Sequence, residues 1–267
     1  MGGRSINDLN TIVDRTLASS LVAGSISALN YANRLNGLIL GVFITAITTV
    51  IFPLLSKEFS NNNIDDVKKI MGYGVNLILL ITIPAAVGLI VLSTPIVEVA
   101  FQRGEFDSTA TIMTSKALIF YAIGLVAMAL RLLVNRVYFS LQDTKTPMIN
   151  GAISVVFNIV LNLILVQFMG HAGLALATSI ATTIATLLML YGLKKKIGSL
   201  GTMSYLKYGV KSSFASAVMG IAAYLIYREL YSILGVAKLY NLIALLVAVG
   251  SGVVIYGILC YILGIEE

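Results

Sequence analysis

Arg34 lies inside an apolar run, SISALNYANRLNGLILGVFITA (25–46), with Asn30 one turn before it and Asn33 beside it. On a helix these spacings place Asn30, Asn33 and Arg34 on one polar stripe. A guanidinium stays charged at any physiological pH, and its planar fork suits bidentate contact with phosphate better than an ammonium does. The chemistry on offer is anion binding, phosphate above all, in a polar cavity, with Tyr31 as a further hydrogen-bonding group. The competing reading is structural: Arg34 snorkels to an interface or pairs with a carboxylate.

A second set of polar side chains offers different chemistry. Asn158 and Asn162 are four residues apart in an apolar segment and share a helix face. Thr178 lies on the next segment, and Asp14 lies in a short apolar stretch near the start. One acid, two amides and a hydroxyl are hard oxygen donors that could ring a small cation such as sodium, or relay a proton. The competing reading is hydrogen bonding between helices, with Asp14 in a salt bridge or at an interface. Arg131 and Arg136 read as snorkelling to phosphate headgroups, and Lys194, Lys195 and Lys196 as an orientation signal that also meets anionic lipid. Glu98, Arg103, Glu105 and Asp107 read as a solvated loop. No Walker, GxSxG, HExxH or dinucleotide fingerprint occurs, so the chain is read as no enzyme and as needing no organic cofactor. One cysteine, Cys260, and one histidine, His171, exclude a disulfide framework and argue against a Cys/His metal site.

The elements that carry these residues are membrane helices. Hydrophobic residues make up 58% of the 267 and charged residues 11%, against about 25% charged in soluble domains. Mean hydropathy is +0.94. Apolar runs near the ~20 residues that span a bilayer recur throughout, whereas the short alternating segments of a membrane barrel are absent. The fold class is therefore an all-α polytopic membrane bundle of about eight transmembrane helices. They are read at about 9–22, 25–59, 66–92, 108–141, 147–169, 172–193, 205–227 and 240–263, with Pro53 and Pro84 as bend points. The net charge of +6 sits in loops and reports orientation, not nucleic acid. Arg4, Lys57, Lys68, Lys69, Lys145, Lys194–Lys196, Lys207 and Lys211 share one side, and Arg103, Arg228 and Lys238 the other. The excess marks the cytoplasmic face, which places both termini there.

In this order and spacing, NTIVDRTLASSLVAGSISALNYANRL, FPLLSK, AFQRGEFD and VYFSLQDTKTP resemble the MurJ (MviN) family. These are bacterial lipid II flippases of the multidrug/oligosaccharidyl-lipid/polysaccharide exporter superfamily. The resemblance covers nearly all of the chain and implies the second lobe plus the two C-terminal helices of a fourteen-helix flippase fold. Residues 1–198 would be the second six-helix lobe, and 199–267 the two last helices, which form a groove for the lipid tail. The family moves undecaprenyl-pyrophosphate-linked peptidoglycan precursor across the bacterial cytoplasmic membrane by alternating access. The implied partners are therefore lipid II, membrane lipids and an N-terminal lobe that this sequence lacks, without which the chain is expected to be inactive. Arg34 matches the family arginine that meets pyrophosphate, while Asn33 stands where some members carry an acid. Asp14, Asn158, Asn162 and Thr178 match positions of a sodium site implied for part of the family. Alternatives left open are export of another polyprenyl-linked glycan or a drug, and a non-transporting membrane scaffold.

Overall fold

The computed structural model describes Thr16, residues 21–234 and residues 238–265, and every regular element among them is helical. Gly24 opens the first rod with φ at 90°, a left-handed conformation that favours glycine. Helix α1 (Ser25–Ile39) runs through a π turn (Leu40–Ile44) into α2 (Thr45–Ser60). The three form one apolar rod of 36 residues, about 54 Å long at 1.5 Å per residue. The sequence points to Pro53 as the irregular position, and the structure adds the π turn. There Thr45 Oγ1 donates to the Leu40 carbonyl at 3.2 Å, the kind of insertion that marks such turns.

Asn63 then caps α3 (Ile64–Val91), its Oδ1 accepting from the Asp66 amide. Asp65 and Asp66 in the first turn suit the positive helix end. A short helix, α4 (Ser93–Phe101), leads to a turn at Gly104 and to α5 (Ser108–Ile123), capped by Asp107 Oδ1 on the Ala110 amide at 2.8 Å. Helix α6 (Leu125–Ser140) follows at a 47° bend. Helices α7 (Lys145–Met169) and α8 (His171–Ile197) form a hairpin through Gly170 at φ 56°. Helices α9 (Thr202–Leu234) and α10 (Lys238–Ile262) complete the chain. Among the described residues six helical segments are long and apolar enough to cross a membrane, and the bent pair α5–α6, taken as one span, makes a seventh. The first expected span, 9–22, lies outside the described residues apart from Thr16 and the end of the stretch.

The expected single span over 108–141 is thus a broken one, and its cause lies in α8. A Cβ on Gly124 would come within 2.5 Å of Ser179 Oγ and 2.7 Å of Ser179 Cα, so only glycine admits the crossing. Ser179 Oγ donates to the Phe120 carbonyl at 2.6 Å, and Thr186 Oγ1 to the Ala127 carbonyl at 3.0 Å. Both hydroxyls serve carbonyls on either side of the bend, where hydrocarbon offers no water to do so. Small residues along α8, among them Ala172, Gly173, Ala175, Ala177 and Ala181, are buried and permit this approach.

One end of the bundle is tied by charge. Lys196 Nζ meets Asp143 Oδ2 at 2.5 Å, and Asp143 Oδ1 accepts from the Thr146 amide in the first turn of α7. Lys211 donates to the Leu263 carbonyl at the same end. At the opposite end Lys238 donates to the Gln102 carbonyl and His171 Nε2 meets the Met113 carbonyl. Partial burial opposes ionisation of Asp143, but hydrogen bonds from Lys196 and from Thr146 outweigh it and hold the carboxyl down at about 2. The packing of α9 and α10 is set by small residues and tyrosines. Gly220 faces Val87 of α3, and Tyr256 donates to the Leu80 carbonyl while bonding Ser212 Oγ.

Gly124→Ala is expected to lower thermal stability in detergent by about 1–3 kcal/mol through overpacking against Ser179, and adding Ser179→Gly should restore only part of it, since the backbone contact remains. Asp143→Ala should lose roughly 1 kcal/mol at neutral pH through its cap alone. Because the folded carboxyl titrates below its unfolded value, its charge-dependent contribution is full above about pH 4 and fades toward pH 2. Melting curves of wild type and variant should therefore converge as pH falls through that window.

Candidate functional site

Helix α1 has two faces of different character. Leu29, Ala32 and Asn36 are buried against the bundle. Asn36 Nδ2 reaches Met128 Sδ of α6 at 3.4 Å. Asn30, Asn33 and Arg34 are exposed on the other side, and Gly37 and Gly41 extend the same uncovered face by two turns. A Cβ at either glycine would meet nothing within 4 Å. The stripe read from spacing therefore exists, on a wall with no described element over it. Arg34 forms no ion pair among the described residues, and its guanidinium lies 5.7 Å from the Tyr31 ring centre.

What holds that wall in place was not apparent from the sequence. The segment AFQRGEFD reads as a solvated loop, and its charged Arg103 and Glu105 are indeed exposed. Its aromatics are not loose. Phe101 packs on Tyr31 at 4.6 Å between ring centres, and Phe106 meets it edge-on at 5.2 Å. Contacts of this kind add about 0.5–1.5 kcal/mol each beyond area burial. They tie the α4–α5 turn to α1 one turn from Arg34.

The second polar set is partly assembled. Asn162 Nδ2 donates to Asn158 Oδ1 at 2.8 Å, Asn158 Nδ2 to Thr178 Oγ1 at 3.1 Å, and Thr178 Oγ1 to the Leu174 carbonyl at 3.1 Å. Both asparagines are buried. Asp14, the only acid of the set, lies outside the described residues. The three that are described form a neutral chain, of which the Asn158–Thr178 bond joins α7 to α8, and in which the oxygens of Asn158 and Thr178 accept N–H groups. Each of those oxygens keeps a second lone pair beside the N–H it accepts.

Arg131 is the residue that sequence reasoning misplaced. Read as snorkelling to headgroups, it instead enters a polar pocket between α6, α7 and α8, lined by Gly151, Ser154, Asn158, Thr178 and Thr182. Its Nη1 donates to Ser154 Oγ at 3.4 Å. The available signal was depth: Arg131 lies ten residues before Leu141, about 15 Å along a helix, too deep for an easy exit to the surface. Arg136, one turn and a half nearer the end, stacks on Phe52 with its guanidinium 5.5 Å from the ring centre.

A broad apolar cavity of about 570 Å³ opens between the π turn, α3, α9 and α10, lined among others by Phe43, Pro84, Gly88, Met219 and Tyr256. Among the described residues its lining offers no polar anchor beyond the edge of one tyrosine, and so suits hydrocarbon.

Residues 1–245 match the family described as lipid II flippase MurJ. A probable lipid II flippase MurJ of Haemophilus influenzae is 32% identical over 99% of the chain, which covers 53% of that protein. One of Vibrio cholerae is 40% identical over 72% of the chain and 36% of its own length. A solved lipid II flippase MurJ in an inward closed conformation superposes on 98% of the chain with a TM-score of 0.81 at 32% identity, covering 52% of that structure. An outward-facing multidrug resistance MATE family transporter of the MOP superfamily aligns over 96% of the chain at TM-score 0.65 and 14% identity, which shows a shared fold. The chain spans about half the length of the curated relatives that match nearly all of it. With its apolar helices, its uncovered arginine stripe and these similarities, this multi-pass membrane chain belongs to the lipid II flippase MurJ family.

Proposed function

We propose that this chain forms one half of a flippase for undecaprenyl-pyrophosphate-linked peptidoglycan precursor, with Arg34 holding the pyrophosphate and Asn30 and Asn33 bonding beside it. The observation that carries this reading is the uncovered stripe on α1: a permanent cation with no carboxylate partner among the described residues. A charge at that depth is costly unless it faces a cavity and a counter-charge, and a doubly charged headgroup supplies one. Residues 1–198 would provide one wall of the central cavity and 199–267 the pair of helices beside it. The apolar cavity between α3, α9 and α10 would take the polyprenyl tail. A first lobe, supplied with this chain, would close the opposite wall, and rocking of the two lobes would open the cavity to each side in turn. The end carrying Lys57, Lys68, Lys69, Lys145 and Lys194–Lys196 would face the cytoplasm, and with it both termini.

The test is complementation. The chain is joined to the first half of the Haemophilus influenzae relative and expressed in cells depleted of their own flippase. The joined protein should restore growth, and the chain alone should not. Arg34→Ala should reduce rescue by about 10–100-fold, the loss expected for charge-assisted bonds of ~1.5–3 kcal/mol, with Arg34→Lys between the two because it keeps charge without the fork. Full rescue by Arg34→Ala, at equal protein level in the membrane, would exclude the pyrophosphate role.

A further inference from the structure

We propose that Tyr31 is a positioning residue for Arg34, acting through its ring, and that Phe101 and Phe106 of the α4–α5 turn hold that ring in place. The inference rests on the reading of Arg34 as the residue that meets pyrophosphate. Helix geometry is the first reason. Tyr31 precedes Arg34 by three residues, so the two are neighbours on the surface of α1. Helical side chains lean toward the N-terminal end, which carries the guanidinium back over the preceding turn, 5.7 Å from the ring centre. That is inside the ~6 Å over which a ring face attracts a cation.

The second reason is which part of Tyr31 is in use. Its spacing marks it as a hydrogen-bonding group, yet its hydroxyl makes no hydrogen bond among the described residues. The ring meets Arg34, Phe101 and Phe106 instead. A ring also holds a guanidinium differently from a carboxylate. It neither neutralises the charge nor occupies an N–H group, and Arg34 makes no hydrogen bond among the described residues. All five donors of the fork thus remain for the oxygens of a ligand.

The third reason is the rigidity of the clamp. Phe101 and Phe106 meet each other at 5.9 Å between ring centres, so the three half-buried rings brace one another. The turn that carries the phenylalanines is pinned in its own right. Gly104 reverses it at φ 58°, Asp107 caps α5, and Lys238 of α10 donates to the Gln102 carbonyl at 2.9 Å. A guanidinium resting on a fixed ring has less rotamer freedom left to lose when it binds, and such preorganisation appears as affinity.

The test titrates undecaprenyl pyrophosphate into the chain joined to the first half of the Haemophilus influenzae relative, in detergent, and reads the dissociation constant of each variant. Tyr31→Phe keeps the ring and should bind within about twofold of wild type. Tyr31→Leu should weaken binding about 3–10-fold, the range of a cation–ring contact. In an Arg34→Gln background Tyr31→Leu should add nothing, because its effect passes through the guanidinium. If Tyr31→Leu does not fold, Phe101→Leu carries the question: it keeps Tyr31 and Arg34, and should cost about threefold in wild type and nothing beside Arg34→Gln. Equal losses in the two backgrounds would overturn the proposal, since a merely structural role acts whether or not the arginine is there. So would a loss in Tyr31→Phe as large as in Tyr31→Leu, which would make the hydroxyl the contact. If instead Arg34→Gln binds as tightly as wild type, or wild type does not bind the probe, the pyrophosphate reading itself falls and this inference with it.

Discussion

In hydrocarbon a polar group that loses its partner has no water to turn to, and the packing around α8 follows from that constraint. The α5–α6 rod bends at Gly124, and the carbonyls that flank the bend are met by Ser179 and Thr186 of α8. The close crossing that lets those hydroxyls reach exists because position 124 has no side chain. The buried small residues of α8 then bring α7 in behind, with Asn158 and Asn162 bonded toward Thr178. Hydroxyls, amides and glycines thus hold together helices whose apolar surfaces have little preference for one another over lipid.

The same constraint separates the arginines. Arg34 stands on a face with no described element over it, braced by an aromatic cluster and followed by two glycines. Arg131 is half-buried between three helices and donates to Ser154 Oγ. Arg136 lies over a phenylalanine nearer the end of the helix. One residue type thus meets three environments.

Features confined to one helix were legible in the sequence. The stripe of Asn30, Asn33 and Arg34 and the shared face of Asn158 and Asn162 both follow from helical spacing. Features made between helices were not. The break in the span at 108–141 is caused by Ser179, 59 residues from the carbonyl it serves. The packing of Phe101 and Phe106 on Tyr31 links a loop to a helix seventy residues earlier in the chain. The Arg131 pocket needs three helices at once.

Composition and period alone determined that the chain is a set of membrane helices, where they run, and which face of α1 carries charge. Their physical basis is local: hydropathy, the 3.6-residue repeat and the cost of a charge in hydrocarbon act on each segment separately. Tertiary structure decided where helices break and which polar groups are already satisfied. It also decided that Arg131 turns inward, because each of these depends on which distant backbone or hydroxyl arrives within hydrogen-bonding reach.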